Sequence, residues 1–156
     1  LEDTIGINPL DFGMIGATDS HNSTPGDTEE WDYRGQASLM SATAKKRLSA
    51  GPGGKYMNLR NNPGGLAAIW APENTREALF DAMQRKEVYA TSGTRIRLRL
   101  FGSFDFEPGM ADSITVLETA YRDGVPMGSA LNGASGASPS FLIWAMQDPL
   151  NAPLDK

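Results

Sequence analysis

The stretch that decides how this chain folds reads Phe12-Gly13-Met14-Ile15-Gly16-Ala17-Thr18-Asp19-Ser20-His21-Asn22. Its apolar part, residues 12–18, lacks polar alternation, which predicts a strand buried on both faces. The strand is followed by Asp-x-His, and this motif contains the only histidine of the chain. Because alternate side chains of a strand point to the same side, Asp19 and His21 are predicted to face one point.

A carboxylate oxygen and an imidazole nitrogen at one point suit a divalent metal ion, so Asp19 and His21 are candidate metal ligands. The alternative is a polar strand end at which His21 is hydrogen-bonded or solvated. Four acidic residues follow nearby, but they lack the spacing and the glycine of a helix-loop-helix calcium site. They predict a solvated acidic loop: Asp27, Glu29, Glu30 and Asp32.

Length and composition describe a folded domain and exclude several classes of protein. The chain has 156 residues, 40% of them hydrophobic and 21% charged, which is enough for one domain with a core. A net charge of -5 argues against a nucleic-acid partner, which would need a basic face. No apolar run approaches the roughly 20 residues of a membrane span. The absence of cysteine excludes disulfides and thiolate metal sites.

The clearest predicted helix covers residues 74–86. Asn74 is the expected N-cap, with Glu77 three residues later as in a capping box. Asp81 and Arg85 have the spacing of an i,i+4 ion pair. The apolar stripe of this helix consists of Leu79, Phe80, Ala82 and Met83. A second, short helix is predicted within residues 38–48.

The character of the sequence changes near Gly93, which predicts a boundary between residues 1–93 and a β-rich segment, residues 94–156. The run from Arg95 to Phe101 alternates strictly, which predicts a strand with its aliphatic side chains inward and its three arginines in solvent. Further strands are predicted at residues 114–121 and 141–146, with a Gly-, Ala- and Ser-rich loop between them.

Arg95 is the exception among the arginines. It follows Ser92-Gly93-Thr94 at the start of the strand, where a loop could present its side chain to a pocket. Arg95 is therefore a candidate contact for an anionic substrate.

Four segments in series resemble one known family. Together they look like the C-terminal part of the bacterial domain-of-unknown-function family 3604, which is similar to the polymerase-and-histidinol-phosphatase (PHP) superfamily of metal-dependent hydrolases. The resemblance runs from about Asn8 to Pro153, and the four segments together are specific where one alone is not. They are Ile15-Gly16-Ala17-Thr18-Asp19-Ser20-His21-Asn22, Asn62-Pro63-Gly64-Gly65-Leu66-Ala67, Glu73-Asn74-Thr75-Arg76-Glu77-Ala78-Leu79-Phe80-Asp81-Ala82-Met83 and Val88-Tyr89-Ala90-Thr91-Ser92-Gly93-Thr94-Arg95-Ile96.

The resemblance implies an α/β fold: the C-terminal part of a distorted PHP-like β/α barrel, followed by the β-rich segment. Such barrels carry two or three ions of zinc, manganese or iron at their strand ends. The last ligand motif of the superfamily is Asp-x-His, which falls here on Asp19 and His21. The implied activity is hydrolysis of a phosphoester, amide or carbamate-like bond in a small-molecule substrate by a metal-activated water. Asn22 and Arg95 would contact that substrate.

The departures from the superfamily pattern matter equally. The superfamily begins with His-x-His and gathers further His and Glu ligands, whereas this chain has one histidine. Because it also starts at Leu1 without an initiator methionine, we expect a C-terminal fragment that is inactive without the N-terminal region of the same polypeptide. Relatives of this type often look exported, so a periplasmic setting is expected ahead of a cytoplasmic one. The alternative function is a non-enzymatic, β-rich binding or structural domain with an incidental histidine.

Overall fold

The computed structural model describes residues 2–21, 23, 33, 35–36, 43–49, 64–133, 136–151 and 153–155. Within these ranges the chain is a mixture of helices and two small antiparallel sheets, with no closed barrel. The mixed α and β content is thus confirmed, whereas the PHP-like barrel and the division near Gly93 stay predictions. The elements are α1 (Glu2–Ile5), α2 (Ala44–Leu48), β1 (Ala67–Ile69), α3 (Arg76–Gln84), β2 (Val88–Ala90), β3 (Arg97–Ser103), a 3₁₀ turn (Met110–Asp112), α4 (Val116–Asp123), β4 (Val125–Pro126) and β5 (Ser140–Met146).

The first sheet is a two-stranded ribbon of β1 and β2, in which Ala67 lies opposite Ala90. Helix α3 connects the two strands. Its N-cap is Thr75, whose hydroxyl accepts a hydrogen bond from the Ala78 amide at 3.3 Å. The predicted cap, Asn74, is wrong by one residue, because the helical conformation begins only at Arg76 and the threonine hydroxyl already satisfies a free amide of the first turn.

A tight turn after the C-terminal end of α3 leads the chain into strand β2. Lys86 has a left-handed backbone with φ of 60°, and the Glu87 amide donates to the Ala82 carbonyl at 3.0 Å. This is the Schellman arrangement, with lysine at the position that glycine usually occupies. The turn also redirects Arg85, which was expected to pair with Asp81. Its guanidinium instead lies 3.6 Å from the Glu87 carboxylate.

The predicted buried strand over residues 12–18 is wrong. These residues form no strand, and Met14 and Ile15 are 67% and 65% exposed. The segment nevertheless lies close to the ribbon, because a Cβ placed on Gly16 would stand 2.8 Å from the Leu66 carbonyl oxygen. An ion pair between Asp11 and Lys86 also joins it to the end of α3. An uninterrupted apolar run identifies a segment that needs a neighbour, but it does not guarantee that strand pairing occurs.

The second sheet has the order β4-β3-β5, with both neighbours antiparallel to β3. The predictions of strands beginning near Arg95 and Phe141 are confirmed by β3 and β5. The strand predicted at residues 114–121 is wrong, since Val116–Asp123 is helix α4. Ala120 is buried, and Val116 and Leu117, four and three residues before it, are half-buried. This helical spacing outweighs the β-branched residues at the start of the segment.

The two faces of β3 differ from the prediction. Arg99 and the buried Phe101 share one face because they are two residues apart, and this face carries α4. The Phe101 ring meets the Tyr121 ring of α4 edge-on, with centroids 4.9 Å apart. Arg99 is therefore half-buried on a packed face rather than fully solvated, while Arg97, near the open end of that face, is exposed.

Tyr89 of β2 and Trp70, the residue that follows β1, hydrogen-bond to backbone groups of β3 and of the residue just before it. The Tyr89 hydroxyl donates to the Ile96 carbonyl at 3.0 Å and accepts from the Leu98 amide at 3.2 Å. The Trp70 indole Nε1 donates to the Leu98 carbonyl at 2.8 Å. Two aromatic side chains thus bond the backbone as a neighbouring strand would, and they join the ribbon to the second sheet.

Candidate functional site

Asp19 and His21 come together just after residues 12–18, the segment that lies beside the ribbon. The Asp19 Oδ1 and His21 Nε2 atoms are 3.2 Å apart, and both side chains are largely exposed, 74% for Asp19 and 66% for His21. Asp19 has a left-handed backbone with φ of 53°. The predicted convergence of the two side chains is therefore present, but it occurs at a left-handed backbone position and not through the alternation of a strand.

Gln36 holds both residues in place. Its side-chain amide donates to Asp19 Oδ2 at 2.6 Å, and its carbonyl accepts from the His21 backbone amide at 2.6 Å. Sequence reasoning missed Gln36, because a single glutamine in a polar stretch belongs to no motif. A residue that orients a carboxylate from behind is a common partner of metal ligands.

The other two predicted site residues are placed differently. Asn22 lies outside the described residues. Arg95 is half-buried, and its backbone amide donates to Asp148 Oδ2 at 2.9 Å. Asp148 is buried and also accepts from the Leu150 amide at 3.1 Å, so Arg95 is part of a built turn near the C-terminus. The proposed substrate contacts of Asn22 and Arg95 stay predictions.

The Asp19 and His21 donor atoms fit a shared cation. Two ligands that each lie about 2.0 to 2.2 Å from one ion are about 3.0 Å apart in octahedral and about 3.4 Å apart in tetrahedral geometry. The observed separation of 3.2 Å lies between these values, and it is equally the distance of a direct ion pair between the two side chains. Among the residues that the structure describes, no group of three or more His, Cys, Asp or Glu side chains converges. The pair alone therefore supplies two donors.

A second feature is a charged cleft between the ribbon and helix α4, with a cavity of about 390 Å³. The Arg99 guanidinium lies over the Trp70 ring, 3.7 Å from its centroid, and donates to the Tyr121 hydroxyl at 3.0 Å. The Tyr121 hydroxyl in turn donates to Glu87 Oε1. Glu87 is only 4% exposed, and Arg85 approaches its other oxygen. A buried carboxylate needs such partners, because burial without them is costly.

The protonation of Tyr121 reflects this environment. Burial raises the pKa of the Tyr121 hydroxyl, and the hydrogen bond to the Glu87 carboxylate raises it further, while Arg99 acts in the opposite direction. The neutral phenol therefore persists to higher pH than in a solvated tyrosine. Sequence reasoning missed this cleft because Trp70 and Glu87, which flank the ribbon strands, and Arg99 and Tyr121, which lie in β3 and α4, are far apart in sequence. They meet only when the ribbon docks on β3.

The whole chain matches one family model. The family described as "Protein of unknown function (DUF3604)" matches residues 1–156, and the chain belongs to that family. This confirms the first part of the resemblance. No curated protein and no solved structure matches the chain. In the described part of the chain, no helix is both long and apolar enough to cross a membrane.

Proposed function

We propose that this chain supplies Asp19 and His21 as ligands to the metal centre of a PHP-like, metal-dependent hydrolase. The observation that carries the proposal is the 3.2 Å separation of Asp19 Oδ1 and His21 Nε2. An anionic oxygen and an imidazole nitrogen form a donor set that zinc, manganese and iron accept. Both side chains are exposed, so an ion and further ligands have access to them.

The roles of the individual residues follow from their contacts. Gln36 orients Asp19 through its side chain and His21 through its backbone, so the two donors are held as a pair. A catalytic zinc site uses three protein ligands, so further ligands must come from outside the described residues. We assign them to a preceding region of the same polypeptide. When bound, a divalent ion lowers the pKa of a water molecule and provides hydroxide for attack on a phosphoester, amide or carbamate-like bond.

The single histidine allows a direct test by nuclear magnetic resonance. Every imidazole signal of the 156-residue chain belongs to His21. Titration with Mn²⁺ should broaden the His21 imidazole signals before signals elsewhere, because paramagnetic broadening falls steeply with distance. Zn²⁺ should shift the same signals without broadening them, since it is diamagnetic.

Matched variants separate a shared site from weak binding to surface carboxylates. Asp19→Asn should remove the preferential broadening at His21. Asp81→Asn makes the same change on the exposed side of α3 and should leave it intact. The proposal fails if the His21 signals respond no earlier than those of other exposed carboxylate regions, or if Asp19→Asn has no effect. Either result would favour the alternative of a non-enzymatic, β-rich binding or structural domain.

A further inference from the structure

A second, more apolar cavity adjoins the charged cleft. This cavity has a volume of about 220 Å³ and shares Trp70, Arg99 and Leu117 with the first. Its other walls come from Arg97 and from two residues of β5, Trp144 and Met146. Binding pockets for small molecules generally combine apolar walls with a few placed polar groups. We call these two adjoining cavities the Arg99 cleft.

The positive charge of the Arg99 cleft is not balanced locally. The carboxylate of Glu87 is already occupied by the Tyr121 hydroxyl and by Arg85. Arg99 uses one of its five N–H groups for Tyr121, and among the described residues no second acceptor for it is found. Arg97 lies on the same face of β3 and is exposed. Two neighbouring guanidinium groups with spare donors favour an anionic group, and a carboxylate matches their fork geometry.

The apolar walls define the rest of the ligand. Trp144 lies opposite Arg99 in the sheet, and Met146 lies opposite Arg97, so each arginine has an apolar neighbour across the strands. Trp144 and Met146 are 46% and 50% exposed, so their apolar surfaces are accessible to a ligand. Trp70 adds a second indole, which already supports the Arg99 guanidinium. Flat aromatic surfaces favour a flat apolar partner.

We propose that the Arg99 cleft binds an organic monoanion that joins one carboxylate to a flat apolar group. Arg99 and Arg97 would hold the carboxylate, and Trp144, Met146 and Leu117 would cover the apolar group. A single negative charge is preferred, because the nearby Glu87 carboxylate opposes a more highly charged ligand. This proposal is independent of Asp19 and His21 and does not rest on the hydrolase assignment.

Isothermal titration of the 156-residue chain with three probes tests the proposal. The probes are 2-naphthoate, which has both features, 2-naphthamide, which lacks the charge, and acetate, which lacks the apolar group. We expect 2-naphthoate to bind at least about tenfold more tightly than either of the others, since a hydrogen bond to a charged group is worth that much. Absence of 2-naphthoate binding at millimolar concentration, or equal binding of the amide, overturns the proposal.

Substitutions locate the binding. Arg99→Gln should weaken 2-naphthoate binding about tenfold or more, since it removes a charged donor. Arg97→Gln changes an exposed residue, so it should leave the fold intact and still weaken binding. Arg76→Gln removes an exposed arginine of α3 outside the cleft and serves as the matched control. The proposal is wrong if Arg97→Gln leaves the affinity unchanged, or if Arg76→Gln weakens binding as much as the cleft variants. Metal titration at His21 is a separate measurement, so the failure of one proposal does not decide the other.

Discussion

The Trp70 indole Nε1 donates a hydrogen bond to the Leu98 carbonyl oxygen at 2.8 Å, which links the ribbon to the second sheet across 28 residues of sequence. The Tyr89 hydroxyl bonds the amide of the same residue. A strand edge without a neighbour exposes unpaired backbone groups, and here aromatic side chains pair with them. The same contact places the Trp70 ring beside Arg99. The packing of the ribbon against β3 therefore both connects the two sheets and forms the charged cleft.

Trp70→Phe should destabilise the fold by about 1–3 kcal/mol, because it leaves the Leu98 carbonyl without its indole donor. The measurement is the free energy of unfolding in urea. Trp144→Phe is the matched control, since the Trp144 side chain is 46% exposed, and it should cost less than about 0.5 kcal/mol. Equal losses for the two variants would show that the hydrogen bond to Leu98 contributes nothing.

The Tyr121 hydroxyl should make stability depend on alkaline pH. Its pKa in the folded chain lies above the ordinary value of 10.0, first because of burial and then because of Glu87. Above that ordinary value the unfolded chain loses the phenol proton while the folded chain retains it, so the stabilisation is present below pH 10.0 and is lost as pH rises through the folded pKa. Urea denaturation between about pH 8 and pH 11 should show a smaller fall for Tyr121→Phe than for the unmodified chain. Parallel curves would contradict this.

Asp148 should contribute stability with the opposite pH dependence. Hydrogen bonds from the backbone amides of Arg95 and Leu150 hold the pKa of its carboxyl below the ordinary value of 3.8. The stabilisation is therefore present above pH 3.8 and is lost as pH falls through the lower folded pKa. Asp148→Asn should lower the melting temperature at neutral pH, and the difference from the unmodified chain should shrink in acid. Asp81→Asn, on an exposed helix surface, is the control and should show neither effect.

Local sequence patterns predicted those helices and strands whose apolar residues recur at a regular spacing within one short segment. The alternation after Arg95 identified β3, and the apolar stripe near Leu79 identified α3. The prediction failed at residues 114–121, where β-branched side chains favoured a strand and packing of Ala120 produced a helix. Propensity is a weak guide when a buried face decides the structure.

The candidate sites show the same limit. Asp19 and His21 do meet, as the short motif predicted, but the strand alternation from which this was predicted is absent. The partnership of Arg99 with Trp70 depends on docking of the ribbon against β3, which no short motif encodes. The alternation of aliphatic and charged residues along β3 correctly predicted that Arg99 and Leu98 lie on opposite faces. It could not show that helix α4 covers the face that carries Arg99. Which face of a strand is buried follows from the neighbours that pack on it.

The position of Gly16 tests whether the segment that carries Asp19 and His21 belongs to the fold. A Cβ at Gly16 would lie 2.8 Å from the Leu66 carbonyl oxygen and 3.0 Å from that of Thr91, so Gly16→Ala should destabilise the chain by about 1–3 kcal/mol. Gly93→Ala is the matched control, because nothing lies within 4 Å of its Cβ position, and its free energy of unfolding should not fall. If Gly16→Ala left the free energy of unfolding unchanged, residues 12–18 would not pack against the ribbon in solution. The packing that holds Asp19 and His21 beside the rest of the chain would then be absent.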